Sequence, residues 1–331
     1  SSAASDVYKR QVVIQTLDME KSLITSDQTS SFSLIPRSFI VVELAMAGKD
    51  TQPIKLYDIF DGFGQFEDVF TTPDALFAKV DKIYERLLKK VDGIYPDSGI
   101  HDCILDADLA GILAHEAIGH TTEADLVLAG SVAANLMDQE VASPLVTLVD
   151  FAHTAYGKTC PVPVYVDDEG VKAEDAMIIE KGILKSYMHN KDSAQKFQMP
   201  LTGNARAMQF YDEPLIRMRN TAILPGKSQL KEMIASIDDG YYLMKRSNGQ
   251  ADSTSEFMFG VVQGYEVKNG KLGRALKDIT ISGIAFDVLK SVSMISDGLV
   301  WGNAGMCGKK QLIPVGMGGP AIKCKVNIGG K

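Results

Sequence analysis

The chain has 331 residues, 45% of them hydrophobic and 23% charged, the profile of an ordinary globular protein large enough for two domains. Its formal net charge of −8, with lysines and arginines scattered among acids, excludes a basic phosphate-binding footprint, so direct nucleic-acid contact is not expected. No apolar run reaches the roughly 18 to 20 residues of a membrane helix and no signal-peptide pattern opens the chain. The four cysteines, Cys103, Cys160, Cys307 and Cys324, are too few and too widely spaced for a disulfide framework, and a cytoplasmic protein is expected.

Residues 1–11 (SSAASDVYKRQ) are small and polar without a period, and are set aside as a non-native leader. Residues 12–70 alternate in the manner of strands, most clearly in SSFSLIPRSFIVVELAMA, and FDGFGQFEDVF supplies a turn cluster. Thr72 and Pro73 lead into DALFAKVDKIYERLLKKV, where Leu76, Val80, Ile83, Leu87 and Val91 recur at helical spacing and basic residues crowd the last turns. Turn residues in DGIYPDSG then place a domain boundary near residue 98.

Beyond it, HDCILDADLAGILAHEAIGH reads as a short strand followed by a helix with Leu109, Ile112 and Leu113 on its apolar side. Two hydrophobic stretches follow, PLVTLVDF and PVPVYVDDEG, and Asp167, Asp168 and Glu169 in the second lack the ligand spacing of a calcium loop and read as a turn. Residues 176–330 are mostly short strands broken by Gly, Asn and Asp, with one helix near 228–236 and a hairpin signal at Asn269-Gly270. The expected fold class is α+β. A sheet-plus-helix domain (12–97) precedes a β-rich catalytic domain (98–331) with the motif helix at its start.

His115, Glu116 and His120 form a His-Glu-x-x-x-His run. Neutral imidazoles bind Zn²⁺, and a glutamate beside a ligand can take a proton from water that the metal has acidified. In the familiar His-Glu-x-x-His spacing, histidines four apart differ by about 40° on a helix and face one metal. A spacing of five puts them about 140° apart on a regular helix, so a π-bulge or a helix end is required near Ile118 and Gly119, with Gly119 best able to accept the change. The bland alternative is two polar residues on a short helix. A third ligand must come from elsewhere: Glu123 and Asp125 are near in sequence, and Cys307, His153 and His189 are distant. Cys307 is set among glycines that permit close approach, although an isolated cysteine is more often a small buried hydrophobe.

The sequence resembles the TldD/PmbA family, and within it the metal-bearing TldD-like branch. The resemblance rests on LAHEAIGHTTEADLV at 113–127, VDDEGVKAEDAMIIEKGILKSYM at 166–188, TGNARA at 202–207, RMRNTAILPG at 217–226 and GMCGKKQLIPVGMGGP at 305–320. It implies His115, His120 and Cys307 as ligands of a catalytic zinc, Glu116 as general base, and flexible or unfolded peptides as substrates. It also implies a TldE/PmbA-like partner subunit or a second copy enclosing the site. The alternative is a non-catalytic regulatory member, in line with the family's label as modulator of DNA gyrase, and a structural zinc site would need a fourth ligand such as Glu123.

Glu123-Ala124-Asp125 stands where the family usually has Glu-Gly-Asp, and Lys310 replaces a usual Gly, without removing a ligand. The family also carries a further N-terminal α/β domain that has no counterpart here, so a fragment is expected. Tyr156, His153, His189, Arg206 and Asn220 are polar groups in or beside the motifs that can orient a substrate, or simply satisfy turns and strand ends.

Overall fold

The computed structural model describes residues 7–48 and 52–329. Alternation in the first 63 residues produces three antiparallel strands, β1 (Val7–Ile24), β2 (Ser30–Ala47) and β3 (Pro53–Phe63), with β2 in the middle. Because strand side chains alternate between faces, Ile40, Val42, Leu44 and Met46 of β2 share one face with Leu56 and Phe60 of β3. That face is covered by α1 (Asp74–Val91), whose buried Ile83 and Leu87 lie one helical turn apart. The amphipathic helix has the bounds its periodicity predicts. Residues 7–11, set aside on sequence grounds, are part of β1; residues 1–6 lie outside the described residues.

The remaining chain begins with β4 (Gly99–Leu105) and α2 (Ala107–Ile112), which Asp106 caps by accepting the Leu109 N–H at 3.0 Å. Its strands include β5 (Leu148–Phe151), β6 (Ala176–Glu180), β7 (Ile183–Leu184), β8 (Asn220–Ile223), β9 (Asp239–Ala251), β10 (Glu256–Lys268), β11 (Lys271–Ala275) and β12 (Ile279–Ile284). The chain ends with β13 (Val300–Lys309), β14 (Gln311–Gly319) and β15 (Ile322–Gly329). The strands form two sheets. One runs β13-β14-β8-β5-β6-β7, with β14 and β8 parallel. In the other, β9, β4, β15, β12 and β10 bond in that order, and β10 pairs back onto β9 to close a barrel, with β11 added outside. Closure removes free edges from those five strands.

Leu105, Leu109, Ile112, Leu113, Phe259, Val315 and Ile322 belong to one buried cluster, so α2 and the residues after it sit in the core between the two sheets. The His-Glu-x-x-x-His run therefore grows directly out of a helix buried in this core.

The second half holds more helix than its sequence pattern predicts. Beside Leu230–Ala235, close to the expected 228–236, there are helices at Lys191–Phe197 and Ala285–Lys290. Six or seven residues are too few to show a helical period, and the first is announced only by the Asn190/Ser193 capping box. The hairpin at Asn269-Gly270 is present, both residues having positive φ. Asp167 accepts the Glu169 and Val171 N–H groups and so forms a turn. All four cysteines are free, and no helix among the described residues is long and apolar enough to cross a membrane.

Candidate metal centre

After α2 the helix widens into a π-helix over Leu113–Gly119, followed by a 3₁₀ turn at His120–Thr122. The His120 N–H bonds the His115 carbonyl, an i to i+5 bond that brings the two histidines over one another. Their ring centroids are 5.4 Å apart. The π-turn required by the five-residue spacing is thus present, but the reason for Gly119 differs from the expected one. Its φ of −56° is ordinary for a helix. A Cβ there would meet the buried Met218, whose Sδ lies 1.9 Å from its position, so the methionine would have to shift.

Cys307 enters from β13. Its thiol is 3.3 Å from His120 Nε2, and one ligand atom from each of His115, His120 and Cys307 lies within 4.8 Å of the others. Tetrahedral zinc ligands sit about 3.4–3.8 Å apart when bonds are near 2.0–2.3 Å, so small rotations suffice to close this group on one ion. Two further observations fit a cation. Both ring nitrogens of His115 are buried and have no hydrogen-bond partner among the described residues, a costly state for an imidazole unless something else binds it. Burial also drives the His115 pKa well below its usual value, helped by the charge on His120 and nearby arginines, which keeps it neutral as a ligand must be. For His120, burial opposes the charged ring, yet its hydrogen bonds to Cys307 and Glu123 overcome it and push the pKa up to about 10. The ring is thus protonated at neutral pH, and a metal bound at Nε2 would take the place of that nitrogen's proton.

Glu123, weighed above as a ligand, lies on the far side of His120. Its buried Oε2 is 2.8 Å from His120 Nδ1, so Nδ1–H donation to the carboxylate leaves Nε2 toward Cys307. Lys309, two residues after Cys307, meets the same Glu123 oxygen at 3.2 Å, Asp125 at 2.9 Å and the Ile216 carbonyl at 2.7 Å. Arg217 Nη2 donates to the Cys307 carbonyl at 2.6 Å. Removing Glu123 as Glu123→Ala is predicted to weaken zinc binding about 10- to 100-fold, measured by competition with a chromophoric chelator.

Glu116 is partly buried, with Oε2 3.6 Å from His120 Nε2. Burial raises its pKa, while His120 and Arg246 oppose the rise. A carboxylate beside three donors that could hold a metal ion can accept a proton from water held there.

Of the other sequence candidates, Arg206 acts on His115 through its charge, and the rest have no described contact with the centre. Asn220 spends its side chain on backbone groups, accepting from Val162 N–H and donating to the Phe151 and Val162 carbonyls. Arg206 donates to the Met218 and Pro314 carbonyls and lines a cleft between the β1–β2 hairpin and residues 163–168. His153 stacks on Tyr165 with centroids 4.5 Å apart, and Tyr156 is exposed at positive φ. His189 is buried against Tyr187 and Phe197, with Nδ1 3.1 Å from Ser193 Oγ.

Burial pushes the His189 pKa down to about 4. As pH falls below about 6.5 the unfolded chain takes up a proton that the folded ring refuses, so stability is full above that pH and is lost toward pH 4. Denaturant titrations should show His189→Gln losing about 2 kcal/mol less stability than wild type between pH 7 and 4.5.

The distorted His-Glu-x-x-x-His helix and the cysteine-bearing strand β13 thus bring together a donor set able to hold a metal ion beside a carboxylate. A family model described as the PmbA/TldA metallopeptidase C-terminal domain matches residues 98–330, and the chain belongs to this TldD/PmbA family. It is 32% identical over 314 residues to a protein named zinc metalloprotease TldD homolog from Saccharolobus solfataricus, covering 94% of this chain and 67% of that one. It is 36% identical over 260 residues to a metalloprotease from Archaeoglobus fulgidus, covering 78% of this chain and 59% of the relative. A metalloprotease TldD homolog from Buchnera aphidicola is 39% identical over 238 residues, covering 70% and 49%. The chain thus spans about half to two thirds of these relatives.

Among solved structures, a putative modulator of DNA gyrase from Thermotoga maritima superposes with a TM-score of 0.75 at 20% identity, covering 98% of this chain and 71% of that one. TldE from Thermococcus kodakarensis gives 0.73 at 18%, covering 94% and 67%. At such identities the likeness is one of fold.

Proposed function

We propose that this chain is a zinc-dependent peptidase that hydrolyses flexible or unfolded peptides, with His115, His120 and Cys307 as metal ligands and Glu116 as general base. The observation that carries the reading is the convergence of three donors, from a π-turn and a distant strand, next to a carboxylate that is not needed to complete the triad. When bound, zinc supplies a Lewis acid that acidifies water and polarises a carbonyl. Glu116 then takes the proton of the attacking water and returns it to the leaving amine. Glu123 holds the His120 ring, and Arg217 and Lys309 fix the strand on which Cys307 stands.

By analogy with the family, the working assembly includes a TldE/PmbA-like subunit or a second copy. Cleavage of fluorescently labelled casein, an unfolded protein, tests the activity: turnover that is abolished by chelator and restored by zinc supports it, and metal-independent or absent turnover overturns it.

A further inference from the structure

One charge beside this centre has no part in the reaction as described. Arg246 lies on β9 where the register with β10 shifts between Arg246 and Gly249. Asp108, in the first turn of α2, holds it twice: Oδ2 accepts the Arg246 backbone N–H at 3.1 Å and Oδ1 accepts from Nε at 3.3 Å. The N-terminal sheet holds it from the other direction. Tyr57 of β3 donates its hydroxyl to the Arg246 carbonyl at 2.8 Å, and Asp58 pairs with Lys245, a non-glycine residue at φ 54°. Two domains therefore fix the backbone and the Nε edge of one arginine.

Its other end is free. Nη1 and Nη2 have no hydrogen-bond partner among the described residues, in a side chain that is mostly shielded from solvent. A Cβ added to Gly305 would lie 3.5 Å from Nη2. Gly305 and Cys307 both pair regularly with β14, opposite Val315 and Ile313. Being two apart, they face the same side of β13, about 7 Å from one another along the strand. The guanidinium thus sits over the face that presents the Cys307 thiol, one position along, and its charge acts on both His115 and Glu116. Met317 Cε lies 1.9 Å from the same Cβ position, so a side chain at 305 would have to displace the Met317 methyl group that now fills this space beside the guanidinium.

From this geometry we infer that Arg246 is a further catalytic residue, which receives the oxyanion formed when water adds to the scissile carbonyl. The inference rests on the peptidase reading. The water oxygen bonds to the carbonyl carbon, its proton passes to Glu116, and the C=O electron pair moves onto oxygen beside Arg246. Collapse re-forms the carbonyl and breaks the C–N bond, and the amine leaves with the proton from Glu116. Arg246 keeps its own protons throughout and contributes as a fixed, partly desolvated charge.

The test compares wild type, Arg246→Ala and Arg246→Lys as zinc-loaded full chains on labelled casein, with zinc content and thermal melting measured alongside. Arg246→Ala should lose about 100-fold in kcat with KM changed by less than about threefold and zinc retained, and Arg246→Lys should recover part of the loss. A phosphinic peptide, which carries a tetrahedral anion, should lose affinity for Arg246→Ala in parallel with kcat. Unchanged kcat, or a loss that follows zinc content or melting temperature, overturns the assignment and leaves Arg246 as a tether between β9 and α2. If wild type shows no chelator-sensitive turnover, the peptidase reading itself fails. Phosphinate binding then decides on Arg246 alone, and equal or absent binding by wild type and Arg246→Ala rules it out.

Discussion

Glu116→Gln is expected to keep its zinc and to lose about 10²- to 10⁴-fold in kcat, the range a positioned general base contributes. The substitution preserves the volume of a partly buried side chain and leaves the His115, His120 and Cys307 donors untouched. What disappears is the carboxylate that, among the described residues, lies on the Nε2 side of His120. Glu123 is placed differently: it meets the outer nitrogen of His120, Nδ1, and its Oε2 also pairs with Lys309. Casein turnover and zinc content of the same preparation check the result. Near-normal turnover by Glu116→Gln would remove Glu116 from the mechanism while leaving the metal assignment intact.

The second large effect is expected at Cys307. Zinc binding free energies of about 10–16 kcal/mol shared among a few ligands amount to about 3 kcal/mol or more for each, so Cys307→Ala should weaken zinc at least about 100-fold. The side chain is buried and small, and the strand around it is tied by the Arg217 bond to the Cys307 carbonyl, which the substitution does not touch. The variant should therefore fold, with a circular dichroism spectrum like that of wild type, and bind zinc only at raised concentration. Equilibrium dialysis measures both affinities; equal values would exclude the thiol as a ligand.

What the sequence makes legible is what local geometry controls. The period of Leu76, Val80, Ile83, Leu87 and Val91 defines α1 because a helix buries one face, whatever lies opposite. The five-residue spacing of His115 and His120 demands a break from α geometry, and the π-turn supplies it. Cys307 is another matter. It stands 187 residues from His120 and becomes a neighbour only through the β13–β14 hairpin and its parallel pairing to β8, which no local pattern encodes. The family resemblance selects it where spacing alone leaves Glu123, Asp125, His153 and His189 equally open.

The supporting charges were the least visible part. Glu123 is close in sequence, but its side chain meets the outer nitrogen of His120, and that direction depends on the turn after Gly119. Lys309 and Arg246 sit on strands of two different sheets and Arg217 on the irregular segment before β8, and scattered basic residues carry no period. Only the RMRN segment hints at them. There, Asp150 at the centre of β5 accepts the backbone N–H groups of Arg219 and Asn220 as well as Arg219 Nε, fastening β8 to β5 by a fully buried ion pair.

The zinc-edge X-ray absorption spectrum of the zinc-loaded protein tests the central claim most directly. A metal held by His115, His120 and Cys307 predicts one sulfur at about 2.3 Å together with two imidazole nitrogens at about 2.0–2.1 Å and a remaining light-atom position. In Cys307→Ala the sulfur shell should vanish. A wild-type spectrum with no sulfur, or with several, would contradict the account.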